Sequence, residues 1–220
     1  MKEVIIPNSV ESFGESAFMN CISLEKVVLP NKLKNISNAL FCDCFSLRSI
    51  TIPKNVSCIG NESFRNCTKL DSIIIPDTVT SIGDSAFRGC NNIKKIIIPE
   101  NIIKIGINPF AQSGINNVVC KSEHFETDGD ALYNKGKNLL ISRYSDAKYY
   151  KIPDSVSKIG EHAFYNCYDS QIIYIPNSVE SAGDKVFYGS YMLKSVLIPR
   201  GTKNRFEKLL PECKSKLVEQ

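Results

Sequence analysis

The chain has no tryptophan, three methionines and two histidines, His124 and His162, among its 220 residues. Two histidines leave little material for general acid–base chemistry, and neither stands at a motif spacing from a nucleophile or carboxylate. No apolar run approaches the ~20 residues needed to cross a bilayer, so no transmembrane helix is expected. The first residues, "MKEVIIPNSV", lack the long apolar core and small-residue cleavage site of a signal peptide. A net charge of +4 with Lys and Arg spread along the chain gives no concentrated basic footprint, which argues against nucleic acid as a partner. Nine cysteines, by contrast, is a high count, and their positions carry more than their number.

Those positions are periodic. Prolines fall at 7, 30, 53, 76 and 99, each 23 residues after the last, and resume with the same step at 153, 176 and 199. A fixed period of this length marks a solenoid. Three residues past each proline stand Val10, Leu33, Val56, Val79, Ile102, Val156 and Val179. Seven past stand Gly14, Gly60, Gly83, Gly106, Gly160 and Gly183, with Ser37 as the exception. Eleven past, every unit has phenylalanine: Phe18, Phe41, Phe64, Phe87, Phe110, Phe164 and Phe187. Fourteen past are Cys21, Cys44, Cys67, Cys90 and Cys167, with Ser113 and Ser190 in the other two units. Each unit closes on an L-x-x-I-x-I-P pattern, as in "LDSIIIP" (70–76).

The alternating, β-branched L-x-x-I-x-I segment reads as a short strand with one buried face. The proline ends its ladder, and the glycine suits a corner. Phe and Cys, three apart, share one face of a helical or 3-10 turn. No single coil can bury these residues alone; stacking makes the core. The unit L-x-x-I-x-I-P-x-x-V-x-x-I-G-x-x-A-F-x-x-C resembles the BspA-type leucine-rich repeat of bacterial and protist surface proteins. The resemblance covers nearly the whole chain. It implies an α/β leucine-rich-repeat solenoid: β-rich, right-handed, with one parallel sheet and short helical or 3-10 turns.

The expected organisation is one domain over 1–220, with a first repeat block at 1–118 and a second at 150–199. Between them, 119–149 carries an insert in which "FETDGDALY" and "NLLISRY" flank the turn "NKGK" as a β-hairpin. Asp128-Gly129-Asp130-Ala131-Leu132-Tyr133 is similar to the family's D-G-x-L-Y element, with one extra residue. Residues 200–220, with Phe206, Leu209 and Leu210 at helical spacing, are expected to form a helical cap. Met1 sits at the Leu position of the pattern, so the chain starts mid-coil and reads as a fragment of a longer protein.

Five cysteines at one offset form a column, read as small buried thiols filling a narrow layer. Equivalent side chains point in parallel, which handicaps a disulfide between neighbours. A linear column does not offer zinc its tetrahedron either. Cys42 is an isolated extra. His162 reads as an exposed loop residue, and "DGD" (128–130) as a turn lacking the ligand spacing of a calcium loop. No catalytic residue, cofactor or metal is expected.

Function is then expected on the outward face of the sheet. The residues between buried apolar positions are Val28, Thr51, Ile74, Ile97, Lys151, Tyr174 and Leu197, flanked by Lys26 and Lys95 among others. An apolar stripe with a polar margin suggests a contact surface, although β-propensity alone also favours such residues. These nine residues are the candidate partner-binding set, for a protein ligand. The family resemblance implies a cell-surface or secreted protein that attaches to host or matrix proteins, with a monomeric state expected. The alternative is a structural spacer presenting other domains, and an enzyme is the reading with least support.

Overall fold

The computed structural model describes residues 2–145 and 147–220; Met1 and Asp146, which belong to the expected first coil and insert, lie outside them. The chain forms two compact units, Met1–His124 and Phe125–Gln220. The division falls inside the segment expected as an insert.

Each coil of the first unit has three sides, and most sides pair with the next coil. On the front, Glu3–Ile5, Lys26–Val28 and Ser49–Ile50 run parallel, with Ile5 opposite Val28 and Val27 opposite Ile50. Lys95–Ile98 pairs in the same sense with Asn117–Cys120. The second leg, expected as extended chain, has a parallel ladder of its own on the back: Asn35–Ile36, Cys58–Ile59, Ser81–Ile82 and Lys104–Ile105. The third side is a turn edge, and there the expected helical or 3-10 turn takes the form of 3-10-type bonds that alternate with bonds to the next coil. The amides of Leu40, Cys42 and Cys44 bond within their own coil, three residues back. The amides between them, from Ala39, Phe41 and Asp43, donate to Asn61, Ser63 and Arg65 of the next coil.

That alternation needs left-handed backbone at two places per coil. Nine residues past the proline, Ser16, Ala39, Glu62, Ser85, Asn108, His162 and Lys185 have φ between 48° and 59°. Thirteen past, Asn20, Asp43, Asn66, Gly89, Gln112, Asn166 and Gly189 also have positive φ. Most of these are not glycine, and side chains rarely tolerate this region. The hydrogen bonds on both sides of each coil hold them there.

The repeating glycine has a different job from the corner expected of it. At Gly83 an added Cβ would stand 2.5 Å from the amide nitrogen of Asn61 in the preceding coil. None of the glycines at this offset has positive φ. The residue is small so that backbones can approach. Gly14, in the first coil, would meet nothing within 4 Å.

Inside, the phenylalanines stack from Phe18 to Phe110 with centroids 5.5–6.2 Å apart. Beside them the cysteine column has its own logic. Cys44, Cys67 and Cys90 each donate to the carbonyl of the phenylalanine one coil earlier, at 3.1–3.2 Å. Ser190 in the second unit makes the same bond to Phe164 at 2.6 Å, which explains why serine replaces cysteine there. All nine cysteines are free.

The second unit repeats the plan. Tyr149–Lys151, Ile172–Tyr174 and Ser195–Ile198 form its front ladder, and Lys158–Ile159 pairs with Ser181–Ala182 behind. The insert is a three-stranded meander, Phe125–Thr127, Ala131–Asn134 and Leu139–Arg143, where one hairpin was expected. Its last strand pairs parallel with Lys158–Ile159 and so serves as the first strand of the back ladder. The C-terminal helix is short, Lys203–Leu209, and buries Phe206. After the 3-10 turn Pro211–Lys216, Leu217–Glu219 adds a strand to the front ladder that the helical spacing did not foretell.

Gly83→Ala is expected to destabilise the protein by roughly 1–3 kcal/mol through overpacking. Gly14→Ala, at the open position, is expected to stay within about 0.5 kcal/mol of wild type. Denaturant unfolding of the two variants side by side checks both.

Candidate functional site

The front ladder of the first unit turns one residue per strand inward and its neighbours outward. Val27, Ile50, Ile73 and Ile96 are buried, while the residue one further along each strand is exposed. Val28 is 42% exposed, Ile74 82% and Ile97 41%, with Thr51 between them also exposed. Lys26 and Lys95 stand two positions earlier, on the margin, and both are exposed. Lys26 is held by Glu3 at 2.9 Å, and Lys2 by Glu25 at 3.0 Å. Lys2 holds the Glu25 carboxyl below its ordinary value.

Two residues of this stripe escaped the sequence pattern. Ile5, 71% exposed, lies opposite Val28, and Val119, 36% exposed, lies opposite Ile97. Val119 was hidden because its strand ends without a proline and follows the previous one after 22 residues instead of 23. The strand alternation "NVVC" was its only signal.

The front ladder is interrupted once. Asp71 donates to Arg48, but the backbone of Ser72–Ile75 makes no hydrogen bond to either neighbouring coil. A cavity of about 720 Å³ opens there, lined by Ser49, Thr51, Ser72, Ile74 and Thr78 among others. Ile74 is thus both the most exposed apolar residue of the stripe and part of the lining of this recess.

In the second unit the face is less open. Lys151 is exposed and 3.9 Å from Asp154, but Tyr174 and Leu197 are half-buried. Lys151 lies opposite Tyr174, and Tyr174 opposite Leu197. The nine predicted residues therefore fall as six on the first unit and three on the second.

The groups with chemical potential are engaged elsewhere. Burial pushes the Cys44 and Cys90 thiols up to about 12 and raises Cys67 as well. Such thiols are not nucleophiles at neutral pH. Among the described residues no three His, Cys, Asp or Glu side chains form a metal-sized group. His162 is half-buried at left-handed φ and packs edge-on against Tyr165, 5.1 Å away.

One polar cluster is built in the second unit's meander. Asp128 turns the chain by accepting the amides of Asp130 and Ala131 at 3.0 and 2.9 Å. Its other oxygen accepts the hydroxyls of Tyr133 at 2.6 Å and Tyr150 at 3.1 Å, and the two phenols also touch each other. Next to it Arg143 is buried, donating to Ser170, Ser145 and the Ala147 carbonyl, with its guanidinium over the Tyr150 ring. Ser145 in turn donates to Asp130. The cluster joins insert to coil, with every acid already occupied.

The family model described as "BspA type Leucine rich repeat region" matches six copies, over residues 1–117, 59–147 and 136–217. A leucine-rich cell surface protein of Faecalibacterium prausnitzii is 28% identical over 91% of this chain and 68% of its own, with TM-score 0.69. A leucine-rich repeat protein of Bacteroides ovatus is 27% identical over 90% of this chain and 63% of its own, with TM-score 0.57. The pneumococcal vaccine antigen PcpA, 21% identical, shares the fold with TM-score 0.75, over 89% of this chain and 50% of its own. No curated protein matches the chain.

The Asp128 cluster makes stability pH-dependent. Burial pushes its carboxyl up, but the Tyr133 hydroxyl, the two amides and the Tyr150 hydroxyl together outweigh that and hold it below its ordinary value. A depressed carboxyl contributes stability above the unfolded value of about 3.9, and that contribution is lost as pH falls below it. Thermal melts from pH 7 to pH 3 should show Asp128→Asn less stable than wild type at pH 7. The gap should narrow at the acid end.

Proposed function

From a chain that belongs to the BspA-type leucine-rich repeat family, we infer a non-catalytic protein-binding module that uses the front face of its parallel ladder. The single observation that carries this reading is the stripe Ile5, Val28, Ile74, Ile97 and Val119, exposed on one unit. Apolar side chains in a row on a ladder, with lysines at the margin, are what a protein partner covers. The break at Ser72–Ile75 adds a recess for an anchoring side chain, and interface energy concentrates in such recesses.

The setting is the cell surface or the medium outside it, and the partner is a host or matrix protein. The Faecalibacterium relative, itself described as a cell surface protein, supports that setting. The chain spans about two thirds of that relative, so the role of the whole protein is part of the same proposal. A rigid spacer is the runner-up, favoured by the unbroken phenylalanine stack.

Ile74→Glu combined with Ile97→Glu separates the two readings. Both side chains point to solvent, so the pair should leave the melting temperature close to wild type. In solid-phase binding to a panel of purified matrix proteins, the wild type should bind at least one, and the double variant should lose at least roughly tenfold in affinity, about 1.4 kcal/mol. Undiminished binding by the variant removes the front face as the site, and no binding by either leaves the spacer.

A further inference from the structure

The exposed stripe of the first unit has a period, and the period selects what can cover it. Paired strands bring Ile5 directly opposite Val28 and Ile97 directly opposite Val119, so at both ends of the unit the row runs straight across the strands. Successive strands of a bonded ladder stand about 4.8 Å apart. Inside the same coils the rings of Phe18, Phe41, Phe64 and Phe87 repeat at 5.5–5.6 Å. One turn of an α-helix rises about 5.4 Å, between those two spacings. A helix laid across the strands therefore accumulates no more than about 3 Å of slip over the six coils from Ile5 to Val119. Same-face side chains of an extended chain recur about every 6.7 Å and fall a whole coil out of step within about three to five coils.

Width gives the same answer. The front strands of this unit are two to four residues long, so at about 3.3 Å per residue the strip is no more than about 13 Å across. A helix with its side chains is about 10–12 Å in diameter. Laid along the coil axis it covers the strip from margin to margin, whereas along the strands it would overhang after about two turns. The two margins also differ in charge. Lys26 and Lys95 open their strands on one side. Just past the prolines, on the other side, Asp77 and Glu100 are exposed, with Lys54 the exception there. Asp77 and Lys54 line the recess beside Ile74, which places that margin on the front. Lys26 is held by Glu3, while Lys95, Asp77 and Glu100 form no ion pair among the described residues.

We propose that the protein partner presents an amphipathic α-helix, laid along the coil axis of the first unit with one helical turn per coil. Its apolar ridge meets Ile5, Val28, Ile74, Ile97 and Val119. A carboxylate flank faces Lys95, and a cationic flank faces Asp77 and Glu100. Apolar side chains at i, i+3, i+4 and i+7 make such a ridge, and the recess between Thr51 and Ile74 takes the longest of them. The inference rests on the front-face reading and adds to it the form and charge pattern of the partner.

The probe is a capped peptide of about 18 residues, about 27 Å long, held helical by a lactam bridge on its outer face. It carries leucines along one ridge, glutamates on one flank and lysines on the other. The comparison peptide has the same composition with apolar and polar residues alternating, as a strand requires. Each is titrated into the whole chain and followed by amide NMR. The helical peptide should bind saturably, shift the amides of Val28, Ile74, Ile97 and Val119, and bind at least roughly tenfold tighter than the alternating one. A spin label on one end of it should broaden amides near Ile5 or near Val119 but not both, and moving the label to the other end should exchange the two. Lys95→Glu, an exposed change, should weaken it roughly threefold at low salt and less at high salt. The inference is overturned if the alternating peptide binds as tightly, if labels on both ends broaden the same coil, or if neither peptide binds. Binding of the alternating peptide alone, lost in Ile74→Glu with Ile97→Glu, removes the helix and keeps the front face. Binding that survives this double variant removes the face as well.

Discussion

The structure depends on how closely one coil's backbone approaches the next. Most coils donate or accept backbone hydrogen bonds with a neighbour on all three sides, so backbones must come within bonding distance nearly all the way round. That requirement dictates glycine where a Cβ would sit 2.5 Å from the next chain, and left-handed backbone where amides alternate between coils. It also places identical side chains directly above one another. A phenylalanine then meets a phenylalanine, and a thiol meets a carbonyl of fixed position. The core is the consequence of the ladder, repeated.

Because the period is imposed by the backbone, much of the fold was legible in the sequence. The proline step located the coils, and the Phe and Cys columns gave the interior. The reason for the glycine was not legible, since a corner and a close approach ask for the same residue. Nor were the left-handed positions nine past the proline, which hold serine, alanine, glutamate, asparagine, histidine and lysine and share no side-chain chemistry; those thirteen past hold asparagine, aspartate, glutamine or glycine, mostly the residues that this region favours. The break that splits the expected strand 125–133 into Phe125–Thr127 and Ala131–Asn134, and the closing strand Leu217–Glu219, have no repeat around them to announce them.

The candidate site was legible where the repeat was intact and hidden where it slipped. Val28, Ile74 and Ile97 followed from alternation, whereas Val119 sits after a coil one residue short. Tyr174 and Leu197 obey the same alternation but are half-buried, because exposure depends on neighbouring side chains as well as on direction. The recess in the binding face arises where regularity fails, in the front ladder at Ser72–Ile75. A perfect stack satisfies its own backbone, and only a departure leaves groups for something else to meet.

If coils are interchangeable units held by neighbour contacts, removing one whole period should leave a working stack. The direct measurement is thermal unfolding, followed by circular dichroism, of the chain lacking residues 77–99. Pro76 would then join Glu100, and Phe64 would stack on Phe110. The account predicts a β-rich spectrum and a cooperative transition, at a melting temperature lowered by the loss of one interface. A spectrum without cooperative unfolding would contradict it, because stability would then reside in particular coils and not in their repetition.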